Sequence, residues 1–466
     1  MKFARLIFIF VLTVAIVLAS RLVLHAQTPA AAAPKDPGPR AGAVGAGSPL
    51  PALTASQLEY FQDGQDRFQE VDAVSNGLGP TYNADSCTSC HAQPAVGGTS
   101  PSVADYPNIG PNPQIAAASA GGASNRIPSF ITAEGPVREA RFPFAVGPNG
   151  GVTRTPDGGV HALYTIAGRS DAGGCSLAQP NFAAMLQANN VIFRIPTPVF
   201  GAGLIESIPD VTIMNNMKAN PALKALLGIS GHPNTSGNDG SITRFGWKAQ
   251  NKSLEVFAGE AYNVEMGVTN ELFPNERGNA AGNCATNPTS EDTTNFDEAG
   301  NHILSDAVAF AVFMRFLAPP SPSSSGISSS PSPQSIANGK TLFSQIHCDT
   351  CHTPALQTGT SKVAALSNKT VPLYSDLLLH NMGSGLTDNV TQGAAAADEF
   401  RTAPLWGLGQ RIFFLHDGRS GPANGGLVHA IAQHASSGSE ANRVIALYNN
   451  LSAQQKQDLL NFLRSL

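Results

Sequence analysis

The sequence of 466 residues is poor in charged residues and in cysteine. Only 13% of its residues are charged, the formal net charge is -5, and no basic run occurs, so nothing suggests a nucleic-acid partner. Beyond the N-terminus, no apolar segment approaches the length of a membrane span. Hydrophobic residues still make up 42%, enough for a packed core in two or three domains. Gly and Pro together exceed a sixth of the chain, which predicts long irregular loops between modest helices.

The N-terminus has the pattern of a secretory signal. A short basic head is followed by an apolar stretch over 6–19 and then by small residues. We predict a signal peptide over 1–26 and a flexible Ala/Pro/Gly linker over 27–50. A retained membrane anchor is the alternative, although the apolar run is short for a span. No stable membrane span is expected after cleavage. Because of the signal, the protein is expected to work outside the cytoplasm.

Four of the six cysteines belong to two C-x-x-C-H motifs. These are Cys87-Thr-Ser-Cys90-His91 and Cys348-Asp-Thr-Cys351-His352. Thiols at i and i+3 project from one face of a helical turn, so both can add across the vinyl groups of a haem. The adjacent histidine then lies under the ring as the proximal iron ligand. A redox dithiol or half a zinc site does not need that histidine, which here follows twice. The motifs therefore predict two covalently attached c-type haems and, with the signal, a bacterial periplasmic location.

The two remaining cysteines, Cys175 and Cys284, have no neighbours at ligand spacing. In an oxidising compartment they are most simply a disulfide with each other. The alternative is two free or separately buried thiols.

A low-complexity Pro/Ser segment over 319–335 marks a domain boundary. We predict an N-terminal haem domain over 51–318 and a C-terminal haem domain over 336–466. Each domain begins with an amphipathic segment before its motif and closes with an apolar helix. In the first domain these are 58–71 and 306–317, and in the second they are 336–346 and 457–466. The predicted fold class is mostly α, with two cytochrome c-like haem domains, long irregular loops and a small β insertion in the first.

Two further patterns lie between these ends. A Pro followed by two apolar residues and G-x-G occurs at 196–204 and again at 402–410, and such a backbone can turn tightly against a flat ring. The stretch 152–166 in the first unit has the pattern of a hairpin around P-D-G-G.

The second unit offers several candidates for the distal side of its haem iron. His434 follows a short apolar helix and could point at the iron. Four other residues compete with it for this position: His416, His380, Met382 and His429. For each of them the alternative role is a hydrogen bond to a haem propionate, a solvated side chain or core packing.

The matching region of the first unit, 245–267, contains no histidine. It supplies Glu265 and Trp247 instead. A glutamate near an open haem could move a proton between the two oxygens of a bound peroxide. A surface charge at a helix end is the alternative for Glu265, and core packing is the alternative for Trp247.

Longer matches identify a family resemblance. They lie at 83–95, 244–254, 263–267, 374–380, 405–409 and 416–419. On these segments the chain resembles the di-haem oxidoreductase family, often labelled "thiol oxidoreductase". That family is related to bacterial di-haem cytochrome c peroxidases and to the di-haem enzyme that matures methylamine dehydrogenase.

The resemblance implies roles for three residues. Trp247, seven residues before Leu254, matches the tryptophan that lies between the two haems of the peroxidases, and Glu265 in V-E-M-G matches their distal acid/base. Their second haem has a distal Met, or a Tyr in the maturation enzyme, and His434 falls on the Met position. This departure implies a bis-histidine haem of lower potential.

Two further features of the relatives have no clear match here. The peroxidases carry a removable histidine on the peroxidatic haem, but the next histidine after His91 is His161, in the expected hairpin. The first haem is therefore expected to be open. Relatives also bind calcium between domains, which makes calcium a candidate cofactor with no assigned ligands.

These observations predict a periplasmic di-haem peroxidase. Electrons from a small cytochrome or cupredoxin would enter at the haem of His352 and His434 and pass near Trp247. Hydrogen peroxide would be cleaved at the haem of His91 with help from Glu265. The alternatives are a non-enzymatic electron-transfer cytochrome with two six-coordinate haems, and peroxide-dependent oxidation of a partner protein. Thiol oxidation has no support, because the two non-motif cysteines are far apart in sequence and in no redox motif.

Overall fold

The computed structural model describes residues 32–101, 112–275, 284, 297–298, 301–302 and 304–466, and the signal predicted over 1–26 lies outside them. The described residues are mostly helical with small sheets, as predicted. The helices α1 to α12 are Ala55–Gln69, Pro113–Ala120, Phe182–Gln187, Ala202–Glu206, Asp210–Lys218, Pro221–Leu227, Leu254–Glu265, Asp306–Phe316, Pro333–Gln345, Leu427–Ala432, Asn442–Asn449 and Ala453–Ser465. Short 3₁₀ turns are Val74–Asn76, Cys87–Ser89, Cys348–Thr350 and Pro422–Asn424. None of the described helices is both long and apolar enough to cross a membrane.

The strands are short and antiparallel. Strands β1 to β15 are Thr81–Tyr82, Glu139–Arg141, Phe144–Val146, Val152–Pro156, Val160–His161, Tyr164–Thr165, Ile192–Arg194, Asn234–Thr235, Ile242–Thr243, Asp297–Glu298, Asn301–His302, Leu356–Gln357, Thr370–Val371, Leu379–Asn381 and Glu399–Arg401. The largest described sheet has the order β5-β2-β7, and the other described sheets are two-stranded pairs. The hairpin predicted over 152–166 is wrong, because β4 pairs with the preceding β3 while β5 pairs with β2.

Each half of the chain contains a close crossing of two helices. In the first half α1 packs against α8, and a Cβ added to Gly64 would lie 2.4 Å from the carbonyl oxygen of Ala309. In the second half α9 packs against α12, and a Cβ added to Gly339 would lie 2.0 Å from the carbonyl oxygen of Asp458. Only glycine allows such an approach of two backbones. The amphipathic and closing helices predicted from the sequence are the ones that cross.

The same arrangement continues toward the motif histidines. Phe68 and Phe343 follow the crossing glycines by one helical turn. Their ring centroids lie 6.0 Å from that of His91 and 6.3 Å from that of His352, respectively. In each half, a phenylalanine of the crossing helix therefore packs beside the motif histidine.

The recurring G-x-G loops also occupy equivalent places. Gly203 lies against the carbonyl of Arg315 on α8, and Gly409 lies against the carbonyl of Arg464 on α12; an added Cβ would lie 2.0 and 2.5 Å away. These glycines pack on the closing helices, while the residues just before them border the cavities described below. The loops therefore join each closing helix to its cavity.

Residues 32–50, the described part of the segment predicted as a linker, run along both halves. The backbone nitrogen of Arg40 donates to Gly409 O at 2.6 Å, and that of Leu50 donates to Phe316 O at 2.7 Å. Asp36 forms an ion pair with Arg464 at 2.7 Å. In the segment predicted as the second linker, α9 already begins at Pro333.

The predicted disulfide is confirmed. Cys175 and Cys284 are bonded, with their Cα atoms 4.8 Å apart, and both lie in the core of the first half. The bond closes a loop with a sequence separation of 109 residues.

Candidate functional site

The first C-x-x-C-H motif opens into a cavity in the first half. The space not filled by protein atoms is about 1210 Å³, part of it open to solvent. Cys87, Cys90 and His91 form one side of it. The Nδ1 atom of His91 donates to Gly98 O at 2.9 Å, which leaves Nε2 available to an iron. Burial lowers the pKa of His91 to about 4, so its imidazole is the neutral form that binds metals.

The second motif opens into a similar, mainly apolar cavity of about 1490 Å³. The Nδ1 atom of His352 donates to Tyr374 O at 3.0 Å, so this histidine also keeps Nε2 available. His434 lines the same cavity, and its Nδ1 donates to Ala430 O at 2.8 Å. Burial, assisted by the nearby His434, lowers the pKa of His352 to about 4. The ring of His434 is therefore held in the same way as those of the two motif histidines.

The competitors of His434 are placed differently. Both ring nitrogens of His380 are bound by carboxylates, of Asp376 at 2.9 Å and of Glu440 at 2.7 Å. His429 is bound to Ser420 and does not border the cavity. His416 and Met382 do border it. His434 as the distal ligand stays a prediction, with these two as its remaining rivals.

Trp247 lines both cavities. It is buried, and its indole Nε1 donates to Ile195 O at 2.8 Å, which fixes the plane of the ring. The ring of His416, which lines the second cavity, packs edge-to-face with the ring of Trp247, and the two ring centroids are 6.5 Å apart. The structure therefore places Trp247 in the wall of both cavities that the C-x-x-C-H motifs line, although the two motifs are far apart in sequence.

Glu265 is the last residue of α7 and borders only the first cavity. Its carbonyl oxygen accepts from Asn83 N at 2.6 Å, just before the first motif, so this helix end is tied to the motif. Its side chain hydrogen-bonds to that of Glu139, which lies on β2. The alternative of a plain surface charge does not describe Glu265, whose carboxyl group pairs with that of Glu139 at the cavity.

Glu139 and its neighbour Arg141 are site residues that the sequence did not reveal. Arg141 donates to Glu139, and both border the first cavity. Burial raises the pKa of Glu139, but the Arg141 charge and the hydrogen bond with Glu265 outweigh it and hold that pKa below its usual value. A carboxyl pair beside a guanidinium can hold and pass a single proton. A three-residue strand about 50 residues from the motif carries no spacing signal for such a role.

The residues of both cavities fit a haem attached through C-x-x-C-H. Each has two thiols and a neutral imidazole on one wall, with a largely apolar lining for the ring. His161 stacks on Phe142 and does not border the first cavity.

The part of the chain that the structure describes contains no evident set of calcium ligands. Among the described residues, one group of His, Cys, Asp or Glu side chains brings its ligand atoms within 4.8 Å of one another; it consists of Cys351, Asp376 and His380. Calcium prefers oxygen ligands, and the thiol belongs to the second motif. Calcium therefore stays a prediction.

Comparison with known proteins identifies the family. A family model described as "Di-haem oxidoreductase, putative peroxidase" matches residues 155–466, more than half of the chain. The chain belongs to the di-haem oxidoreductase family. In this di-haem oxidoreductase the matched range contains Trp247, Glu265 and the second motif, whereas the first motif and Glu139 precede it.

Other comparisons add little. The search of curated proteins found no match. Among solved structures, Kuenenia stuttgartiensis hydrazine synthase pressurised with 20 bar xenon matches 94% of this chain and 97% of its own, at 12% identity and a TM-score of 0.34. That TM-score supports no conclusion about the fold or the activity.

Proposed function

We propose that this di-haem oxidoreductase is a periplasmic peroxidase with two covalently attached c-type haems. It reduces hydrogen peroxide to water with electrons from a small cytochrome or cupredoxin-type donor. The observation that carries the proposal is the inequality of the two cavities: both border Trp247, but only the first contains a carboxyl pair. The disulfide between Cys175 and Cys284 and the leader-like N-terminus support an oxidising compartment outside the cytoplasm.

The second haem is the electron port in this scheme. His352 and His434 line the same cavity and would both bind the iron of a haem held there, which would supply one-electron chemistry and no open position for a substrate. Trp247 connects this cavity to the first one, because its side chain borders both. When bound, haem supplies one-electron redox chemistry, and the protein supplies the path and the protons.

Proton handling is the part assigned to the first cavity. Reducing one peroxide molecule to two waters takes two electrons and two protons. Glu265 would take a proton from one peroxide oxygen and return it to the other, so that the departing oxygen leaves as the first water when the oxygen–oxygen bond breaks. The two electrons and two protons then convert the remaining oxygen into the second water. Glu139 shares a proton with Glu265, and Arg141 holds Glu139 in place.

The test combines one spectrum with one pair of variants. The oxidised protein should give one low-spin and one high-spin haem signal by electron paramagnetic resonance. Glu265→Gln should lower peroxide turnover by about 100-fold or more, because general acid-base catalysis contributes that much. Glu255→Gln is the matched control, since Glu255 lies on the same helix but is exposed. Its turnover should equal that of the wild type.

Three outcomes would contradict the scheme. Unchanged turnover in Glu265→Gln would remove the acid/base role. Two low-spin signals would favour the carrier without chemistry of its own. Consumption of peroxide only in the presence of a protein that becomes modified would favour oxidation of a partner.

A further inference from the structure

Two buried arginines flank Trp247 on the side of the second cavity. Arg401 ends β15, and Arg411 follows the second G-x-G loop; their exposed fractions are 9% and 8%. The backbone nitrogen of Arg401 donates to Trp247 O at 2.9 Å. The guanidinium of Arg411 lies over the Trp247 ring, 6.0 Å from its centroid. Both side chains line the second cavity.

Neither guanidinium has a carboxylate partner among the described residues. The Nε atom of Arg401 donates to Gly246 O at 3.1 Å, and that of Arg411 donates to Phe413 O at 3.0 Å. Nη1 of Arg401 and Nη2 of Arg411 are buried, and neither has a hydrogen-bond partner among the described residues. Asp376, which acts on Arg401 through its charge, is itself bound to His380.

This arrangement is costly for a protein unless something negative enters the cavity. A buried charge is tolerated when it is paired and hydrogen-bonded, and expensive otherwise. Burial lowers the pKa of both arginines to about 10, and repulsion from Arg411 adds to the effect at Arg401. Both remain protonated at neutral pH, so two positive charges without a hydrogen-bonded carboxylate face the cavity.

A haem carries two carboxylates, its propionates, on one edge of the ring. We propose that Arg401 and Arg411 bind the propionates of the haem attached by the second C-x-x-C-H motif. The propionate edge then points toward Trp247 and the first cavity. Hydrogen bonds between a guanidinium and a carboxylate are charge-assisted and can be bidentate. Two of them would keep the haem from rotating within the plane of its ring. The inference rests on the proposed function, because it requires a haem in the second cavity.

The arrangement has an electrochemical consequence. Oxidation of a haem adds one positive charge, and two fixed cations close to the ring oppose it. Arg401 and Arg411 therefore raise the reduction potential of the second haem, in the opposite direction to bis-histidine ligation. The two effects together set the potential of the electron port.

The experiment begins with protein shown by absorbance and mass to carry two haems per chain. Arg401→Gln and Arg411→Gln are compared with the wild type by spectroelectrochemical titration. We expect the midpoint potential of the second haem to shift downward in each variant, with that of the first haem unchanged. Arg40→Gln is the control: Arg40 is also buried with an unpartnered Nε but borders neither cavity, so neither potential should shift.

A measurement on the wild-type protein tests the proposal even if the arginine variants fail to fold. Haem labelled with ¹³C at the propionate carboxyls is introduced biosynthetically, and the carboxylate signals are followed by infrared spectroscopy as the pH falls. Those of the second haem should stay ionised below the pH at which an ordinary carboxyl titrates. Titration at the ordinary pH in the wild type, or potentials that match the wild type in both arginine variants, would overturn the assignment. Protein without haem at Cys348 and Cys351 would instead overturn the proposed function.

Discussion

Asp388 joins the two halves of the chain by pairing with two buried cations. Its Oδ2 accepts from Arg194 Nη2 at 2.7 Å, and its Oδ1 lies 3.2 Å from Lys248 Nζ. Arg194 borders the first cavity, and Lys248 follows Trp247 directly in the chain. The side chains of Asp388 and Lys248 are fully excluded from solvent. We predict that Asp388→Asn, which keeps the shape but removes the charge, strongly destabilises this junction.

The structure sets the size of the effect. Removing one partner of a buried ion pair costs about 3–5 kcal/mol of the free energy of unfolding. Both cations keep other acceptors: Lys248 Nζ donates to Ala396 O at 2.8 Å, and Arg194 Nη1 donates to Gln392 Oε1 at 2.6 Å. We therefore expect a loss near the lower end, about 3 kcal/mol. Urea unfolding followed by circular dichroism measures it.

The pH dependence gives a second check. Burial lowers the pKa of Lys248 from 10.5 to about 8, and Asp388 acts in the opposite direction. For a group whose folded pKa is lowered, the stability contribution is complete above the unfolded pKa and is lost as pH falls through the folded pKa. Without the Asp388 charge, the pKa of Lys248 falls further. The part of the Asp388→Asn deficit that comes from Lys248 should therefore be largest well below pH 8, shrink as the pH rises toward 8 and be absent above it, because Lys248 is then neutral in both folded proteins.

A surface aspartate provides the control. Asp239 pairs with Lys252 on the protein surface, and such pairs contribute little, so Asp239→Asn should leave unfolding unchanged. The reasoning would be refuted by a deficit below about 1 kcal/mol for Asp388→Asn, the range of an exposed pair. A deficit that does not change between pH 7 and pH 10 would refute the part assigned to Lys248.

Two further predictions concern the second half. His434→Met should raise the midpoint potential of the second haem, because thioether ligation favours the reduced form; an unchanged potential would leave His416 or Met382 as the ligand. Gly339→Ala should lower the free energy of unfolding by about 1–3 kcal/mol, as overpacking does, whereas Gly237→Ala, in open space, should not. Equal stabilities of the two alanine variants would show that the helices separate without cost.

Local patterns in the sequence predicted the local parts of the site. The i, i+3 thiols with the following histidine, the two amphipathic helices and the two closing helices depend on spacing within one turn or one helix. The family resemblance added Trp247 and Glu265, which the structure places on the cavity walls. Their roles stay predictions.

Contacts between distant segments could not be predicted in the same way. Glu139 reaches Glu265 because β2 sits at the centre of a sheet whose partners come from two other segments. The hairpin prediction failed for a related reason, because pairing with β3 and β2 was stronger than closure around P-D-G-G. Irregular loops rich in Gly and Pro carry no periodicity from which such partners can be read.

The glycine crossings have a consequence for how the two centres can diverge. Gly64 and Gly339 hold the same helical crossing in each half, next to the C-x-x-C-H motif of that half. The groups that would decide reactivity, Glu139 and Glu265 in one cavity and His434 in the other, lie outside the crossings. If the proposed roles are right, changing the segments that carry these residues would convert a reactive centre into a carrier, or the reverse, without a change in the crossing helices. In such a chain, the residues that decide the reaction could change while the helices beside the motifs stay the same.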